Sequence, residues 1–320
     1  MRARIVYVHG NGNKVRPDLL RSQWDRALFG QDMGEASHMA YWAPLRYDRP
    51  LPDARPDPLD GAPEPLEEGL AGADGEDPEQ FASRTWQEAR ADTAGAAGPG
   101  GIPPEAPGEA GAPEAAVLDG WLRDMTYLAD TLAQAEGPQP PGPGAEPLPE
   151  TLPLPRFGRT AVFRTLVKHT FKDVHAYFFG GMGAAMRRVV ADVLDEVGDG
   201  PQDGPLVVVG HSLGSIIAYE VLAERGRRAD LFLTVGSPLA ITEVQDCLVR
   251  RPAVPDGVTA WHNASDLRDL VALDHTMRPE YAPVEKITDH LVTNDSGNHH
   301  GISEYLGDPL VQGLVRRVFN

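Results

Sequence analysis

The chain has 320 residues, of which 41% are hydrophobic and 7% aromatic, enough apolar side chains for the core of one or two globular domains. One cysteine, Cys247, excludes an internal disulfide framework and any multi-thiolate metal site within the chain. The formal net charge of -18 offers no basic footprint for nucleic acid or for an anionic membrane surface.

The first residues contain too few apolar side chains before His9 for the central region of a secretory signal, and they read as a buried strand instead. No run of about 18 apolar residues occurs, so a spanning helix is not expected and the protein is expected to be soluble and cytoplasmic. Ile5 to Val8 is an apolar run closed by His9-Gly10-Asn11-Gly12-Asn13, the pattern of a parallel strand leaving the sheet through a glycine-containing loop. Leu19, Leu20, Trp24, Ala27 and Leu28 then recur at helical spacing, and His38 to Trp42 reads as a second strand ended by Pro44. Strand, loop, helix, strand is the opening of a doubly wound α/β layer.

After Asp48 this pattern dissolves. Residues 51–155 hold 19 of the 30 prolines, 14 of the 34 glycines and 21 acidic residues against 4 arginines and no lysine. The rest of the chain is then almost neutral, with 26 acids and 25 bases. Residues 49–155 are therefore expected to be an acidic, low-complexity insertion, largely disordered, between two parts of one body, 1–48 and 156–320. Two apolar islands interrupt it, Phe81 to Ala89 and Val117 to Ala133. The second sets Leu118, Leu122, Met125, Leu128 and Leu132 on one helical face and is a candidate lid.

Residues 159–177 turn basic and aromatic at helical intervals, and Ala184 to Val197 is a clear amphipathic helix. Leu206-Val-Val-Val209 is a buried strand that runs into Gly210-His211-Ser212-Leu213-Gly214, followed by a helix to Glu224. Further strands are expected at Leu231 to Val235, Val258 to His262 and Ile287 to Val292, with a last helix from Pro309 to Val318. There is no internal repeat.

Gly210 to Gly214 fits G-x-S-x-G between a strand and a helix. A turn this tight forces its central residue into a strained backbone, needs small flanking residues to close, and lifts Ser212 to the carboxyl edge of the sheet. A serine hydroxyl is a weak nucleophile near neutral pH, so a histidine must take its proton and a carboxylate must hold that histidine's tautomer. His299 and His300 are the histidines beyond the last strand.

On these residues the chain resembles an α/β-hydrolase of the serine esterase or lipase type over residues 1–48 and about 160 to 320. The resemblance implies an α/β-hydrolase fold, a doubly wound, mostly parallel sheet carrying the acidic Pro/Gly-rich insertion. It also implies a catalytic order of serine, acid, histidine. His300-Gly-Ile-Ser-Glu-Tyr305-Leu306 is similar to the H-x-x-x-x-Y-L ending of lipase-like and GPI-inositol-deacylase-like hydrolases, which favours His300 over His299. Asp269-Leu270-Val271 is similar to their D-x-V segment, which favours Asp269 as the acid over Asp266. Asp274 lies farther from the strand end. The same resemblance implies an oxyanion hole of two backbone amides, Asn11, with Gly12 as its rival, and Leu213. It also matches Gly236-Ser237-Pro238-Leu239, expected as a pocket wall.

The expected activity is hydrolysis of a small-molecule carboxylic ester or thioester through an acyl-enzyme. No metal or organic cofactor is called for, and no nucleic acid partner is expected. An acyltransferase with the same triad, and an inactive scaffold that binds a partner through the insert, are the alternatives.

Overall fold

β-Branched and aromatic residues are densest in two of the strands, at Ile5 to Val8 and Val207 to Val209. In this computed structural model, which describes residues 3–55, 57–61, 76–96, 117–136, 156–198, 203–278 and 280–319, six strands form one sheet. The strands are β1 (Arg4–Val8), β2 (Ser37–Ala40), β3 (Leu206–His211), β4 (Ala229–Val235), β5 (Val258–Ser265) and β6 (Ile287–Leu291). They lie in the order β2-β1-β3-β4-β5-β6, with every neighbouring pair parallel. Their carboxyl ends therefore share one edge, where a doubly wound fold builds its site. The sheet, flanked by helices, is of the α/β class.

β2 stops at Ala40 rather than running to Trp42. The Trp42 amide donates to His9 Nε2 and its indole N–H to the His9 carbonyl, which pulls the chain off the ladder. On one side of the sheet α1 (Pro17–Phe29) packs Leu20, Trp24 and Leu28 against Ile5, Tyr7, Val207 and Val209. The C-terminal pair, α7 (Ile302–Gly307) and α8 (Pro309–Phe319), completes that layer with Tyr305, Val311 and Val315. The other face is covered by α4 (Arg156–Phe179), α5 (Gly183–Val197) and α6 (Leu213–Arg225).

Two helices arise within the acidic stretch, α2 (Pro78–Ala96) and α3 (Asp119–Ala135). The helix expected at residues 117–133 is α3, while the Phe81 to Ala89 island proves part of a longer helix. α3 buries Trp121, Leu122, Met125, Ala129 and Ala133 in the same core that holds Phe163, Leu166 and Phe171 of α4. The basic face of α4 meets the acids of the two helices. Arg164 pairs with Asp130 at 2.8 Å, Lys168 with Glu88 at 2.8 Å and Lys172 with Asp92 at 2.9 Å. Burial supplies most of the docking energy, and the ion pairs fix which face docks.

The disorder expected for most of residues 49–155 falls largely on residues 62–75, 97–116 and 137–155, which lie outside the described residues. Among the described residues no helix is long and apolar enough to cross a membrane.

Candidate active site

Ser212 stands between β3 and α6 with φ 54° and ψ -129°, one of two non-glycine residues with positive φ among those described. Its amide donates to the Val235 carbonyl at 3.2 Å, and its carbonyl accepts from Ser215 N at 2.9 Å. The turn closes only because Gly214 has no side chain: a Cβ there would strike the carbonyl oxygens of Val8 and His9. Ser237, expected as a pocket wall, instead braces the elbow. Its hydroxyl lies 2.7 Å from that of Ser215 and accepts from Leu239 N.

His300 Nδ1 sits 2.9 and 2.8 Å from the two oxygens of Asp269. Asp269 also accepts from Val271 N at 2.8 Å, from Ala272 N at 3.3 Å and from the Tyr305 hydroxyl at 2.6 Å. The contact of His300 Nδ1 with both oxygens of Asp269 leaves Nε2 as the ring nitrogen that faces away from the carboxyl group. Burial and the adjoining Asp269 push the Tyr305 phenol well up, so it stays a neutral donor. The structure brings Gly236 beneath this pair with φ 54°, and a Cβ there would lie 2.9 Å from both Asp269 Oδ2 and His300 Nδ1. His211 steadies His300 from the other side. Its ring lies 4.5 Å from the His300 ring, and its Nε2 is 3.0 Å from the His300 carbonyl. Burial, then the neighbouring His300, hold the His211 imidazole well below its ordinary range, so it is neutral and Nε2–H donates.

Asn11 brings a side chain to Ser212. Its Nδ2 donates to Ser212 Oγ at 2.7 Å and to Thr170 Oγ1 of α4 at 2.9 Å. Among the described residues His300 Nε2 is buried without a hydrogen-bond partner, so the serine oxygen is engaged by Asn11 and not by the histidine. Ser212 is 0% exposed and His300 1%, beneath α4. The Asn11–Gly12 peptide is gripped at both ends, its carbonyl by Lys14 Nζ at 2.6 Å and its Gly12 N–H by Asp173 Oδ2 of α4 at 2.7 Å. His9 accepts from the Trp42 and Ala43 amides through Nε2, and burial, aided by Lys14, lowers its pKa to about 3. It is a neutral fixture of the strand end.

The remaining candidates serve the surrounding loops. Asp266 accepts from Asn294 N at 2.6 Å and from Arg268 N at 2.7 Å. Burial pushes its carboxyl up, but the Arg268 and Asn294 hydrogen bonds outweigh this and hold it below the ordinary carboxylate range. His299, with φ 56°, faces the Asn294 carbonyl at 2.9 Å and Glu136, just past the end of α3, at 2.6 Å. Asp274 is exposed and caps the turn at Thr276. His175 lies among Trp86, Phe171 and Phe179, its pKa lowered to about 4 by burial and then by Arg90. Among the described residues no group of three or more His, Cys, Asp or Glu side chains is arranged to hold a metal ion.

Sequence reasoning missed the strap at residues 57–61, which joins the two loops of the site. Asp57 pairs with Lys14 at 2.6 Å on the Asn11 side. On the His300 side, the Leu59 carbonyl accepts from Asn298 Nδ2, the Gly61 carbonyl from Gly297 N, and Asp60 from Ile302 N and the Ser303 hydroxyl. Asn298 Oδ1 in turn accepts from the His300 amide at 3.0 Å. The one local signal was the Asp57-Pro-Leu-Asp60-Gly61 turn chemistry, submerged in a stretch full of such residues.

Residues 155–246 match the family model of the thioesterase domain, a family of the α/β-hydrolase type. The match takes in α4, α5, β3, the Ser212 elbow, α6 and β4. It supports the superfamily and hydrolysis of an ester or thioester in general. No curated protein and no solved structure matches the chain.

Proposed function

We propose that this protein is a serine hydrolase that cleaves a carboxylic ester or thioester through an acyl-enzyme, with Ser212 as nucleophile, His300 as base and Asp269 as the orienting acid. The observation that carries the reading is the strained Ser212 elbow at the sheet edge beside a buried Asp269–His300 pair. The four donors around Asp269 fix its orientation, so that it holds the Nδ1–H tautomer of His300 and leaves Nε2 to accept.

On substrate entry the Ser212 side chain turns from Asn11 toward His300 Nε2, which takes the hydroxyl proton as Oγ bonds to the carbonyl carbon. Negative charge collects on the carbonyl oxygen, where the Leu213 N–H at the start of α6 and the Asn11 N–H stabilise it. The Gly12 N–H is already committed to Asp173, which favours Asn11 as the loop donor. His300 then returns its proton to the departing alcohol or thiol, and water repeats the sequence to release the acid. α3 and α4 form the lid in this reading, through the Glu136–His299 and Thr170–Asn11 contacts.

The test is labelling with a fluorophosphonate followed by peptide mapping. Ser212 takes the label, and Ser212→Ala keeps its fold while losing turnover by several orders of magnitude, as only binding and the oxyanion donors remain. Retained turnover in that variant, or a label elsewhere, would falsify the assignment.

A further inference from the structure

A cavity of about 390 Å³ adjoins the Asp269–His300 pair. Its inner end is formed by Asn11, His211, His300 and Leu166, all buried. Val15, Leu20, Trp24, Leu59 and Ile302, also buried, make apolar sides. Its outer end carries the exposed side chains of Gln23, Arg26 and Arg55.

The charges along this cavity do not balance. Lys14 and Asp57 neutralise each other at 2.6 Å. Asp60 is turned to the Ile302 amide and the Ser303 hydroxyl, and burial, then Asp57, push its pKa up to about 7. Arg26 and Arg55 form no ion pair among the described residues. The outer end therefore presents two uncompensated guanidinium groups, on a chain whose net charge is -18. A plain alkyl chain filling the cavity would satisfy the apolar sides but offer the two guanidinium groups no acceptor. A chain ending in a carboxylate or phosphate satisfies both, because a guanidinium binds either group through paired N–H donors.

We propose that the cavity binds the part of the substrate that carries a terminal anionic group, carboxylate or phosphate, separated from the scissile ester by a short apolar spacer. This rests on the hydrolase reading of Ser212 and deepens it to a substrate class, short anionic esters rather than neutral lipids.

The test measures binding without turnover, in the full chain with Ser212→Ala, by calorimetry. Monoethyl glutarate and monoethyl adipate are compared with ethyl pentanoate and ethyl hexanoate. A second arm uses ethyl 4-phosphonooxybutanoate, and a third uses the butyrate ester of glycolic acid, which carries its carboxylate on the alcohol side. The expected result is tighter binding of an anionic ester, by roughly two- to fivefold for each guanidinium engaged. The preference shrinks with added salt and disappears when Arg26→Ala and Arg55→Ala are combined. The three arms distinguish carboxylate from phosphate and acyl side from alcohol side. Equal affinity for anionic and neutral esters in all arms, or a preference that survives loss of both arginines, overturns the proposal. Because the readout is binding, its failure is separate from failure of Ser212 to take the fluorophosphonate.

Discussion

The Tyr305 hydroxyl lies 2.6 Å from Asp269 Oδ2, so the carboxylate facing His300 is held from α7, a helix that begins just beyond His300 itself. One short segment thus supplies both the proposed base and a brace for its acid. Tyr305→Phe removes one donor to an ionised group, a change of about 1.5–3 kcal/mol. The expected outcome is a roughly ten- to hundredfold fall in kcat/KM with the fold retained, read by ester kinetics beside circular dichroism. Undiminished kcat/KM would show that the contact is packing alone.

The two aspartates of the β5 loop separate by function. Asp269→Asn gives His300 the wrong partner and lowers turnover by roughly 10⁴. Asp266→Asn weakens the Arg268 and Asn294 contacts and acts mainly on stability. Steady-state kinetics on both variants decides, and the reverse ranking would move the acid to Asp266.

Asp60 gives stability a pH dependence of definite sign. Its folded pKa, raised to about 7, lies above the ordinary aspartate value of about 3.9, so between these limits the folded state binds more protons than the unfolded one. Its contribution to stability is therefore fully present at the acid end of that window and is lost as the pH climbs to about 7. Asp60→Asn removes the ionisation while keeping an oxygen for Ile302 N. The melting-temperature difference, wild type minus variant, falls between mildly acidic and mildly alkaline buffer. A difference that is constant or rises with pH contradicts this.

Arg164 ties α4 to both neighbouring helices. Its side chain is 5% exposed, pairs with Asp130 and lies 5.0 Å over the Phe81 ring. Arg164→Ala should cost about 3 kcal/mol, the low end for breaking a buried pair, because Asp130 keeps some access to water. Hydrogen exchange should accelerate in α2 and α3 well before it does in β3 and β4. Equal acceleration throughout would show that the helices do not open separately.

The parts of the site legible in the sequence are those whose constraint is local. The Ser212 elbow is a steric requirement of consecutive residues, whereas strand order leaves Asp266 beside Asp269 and His299 beside His300, and only the resemblance to known hydrolase segments favours Asp269 and His300. The Asn11 side chain on Ser212, the Lys14–Asp57 pair and the strap at residues 57–61 join segments far apart in the chain, and no periodicity encodes such pairings. The acidity of the insert and the basicity of residues 159–177 were each visible alone. That one is the counter-surface of the other appears only when Arg164 meets Asp130 and Lys168 meets Glu88. The apolar character of Trp42 fits a strand, and only the His9 ring reveals why the ladder ends earlier.

The positive φ of Ser212 sets stability against chemistry at a single residue. Backbone in this region costs a side-chain-bearing residue about 1–3 kcal/mol and a glycine far less. Ser212→Gly should therefore melt at a higher temperature than the wild type while being inert. A directed-evolution campaign scored on thermal tolerance alone would erode the proposed nucleophile first, so any stabilised library drawn from this scaffold must be filtered for turnover at every round.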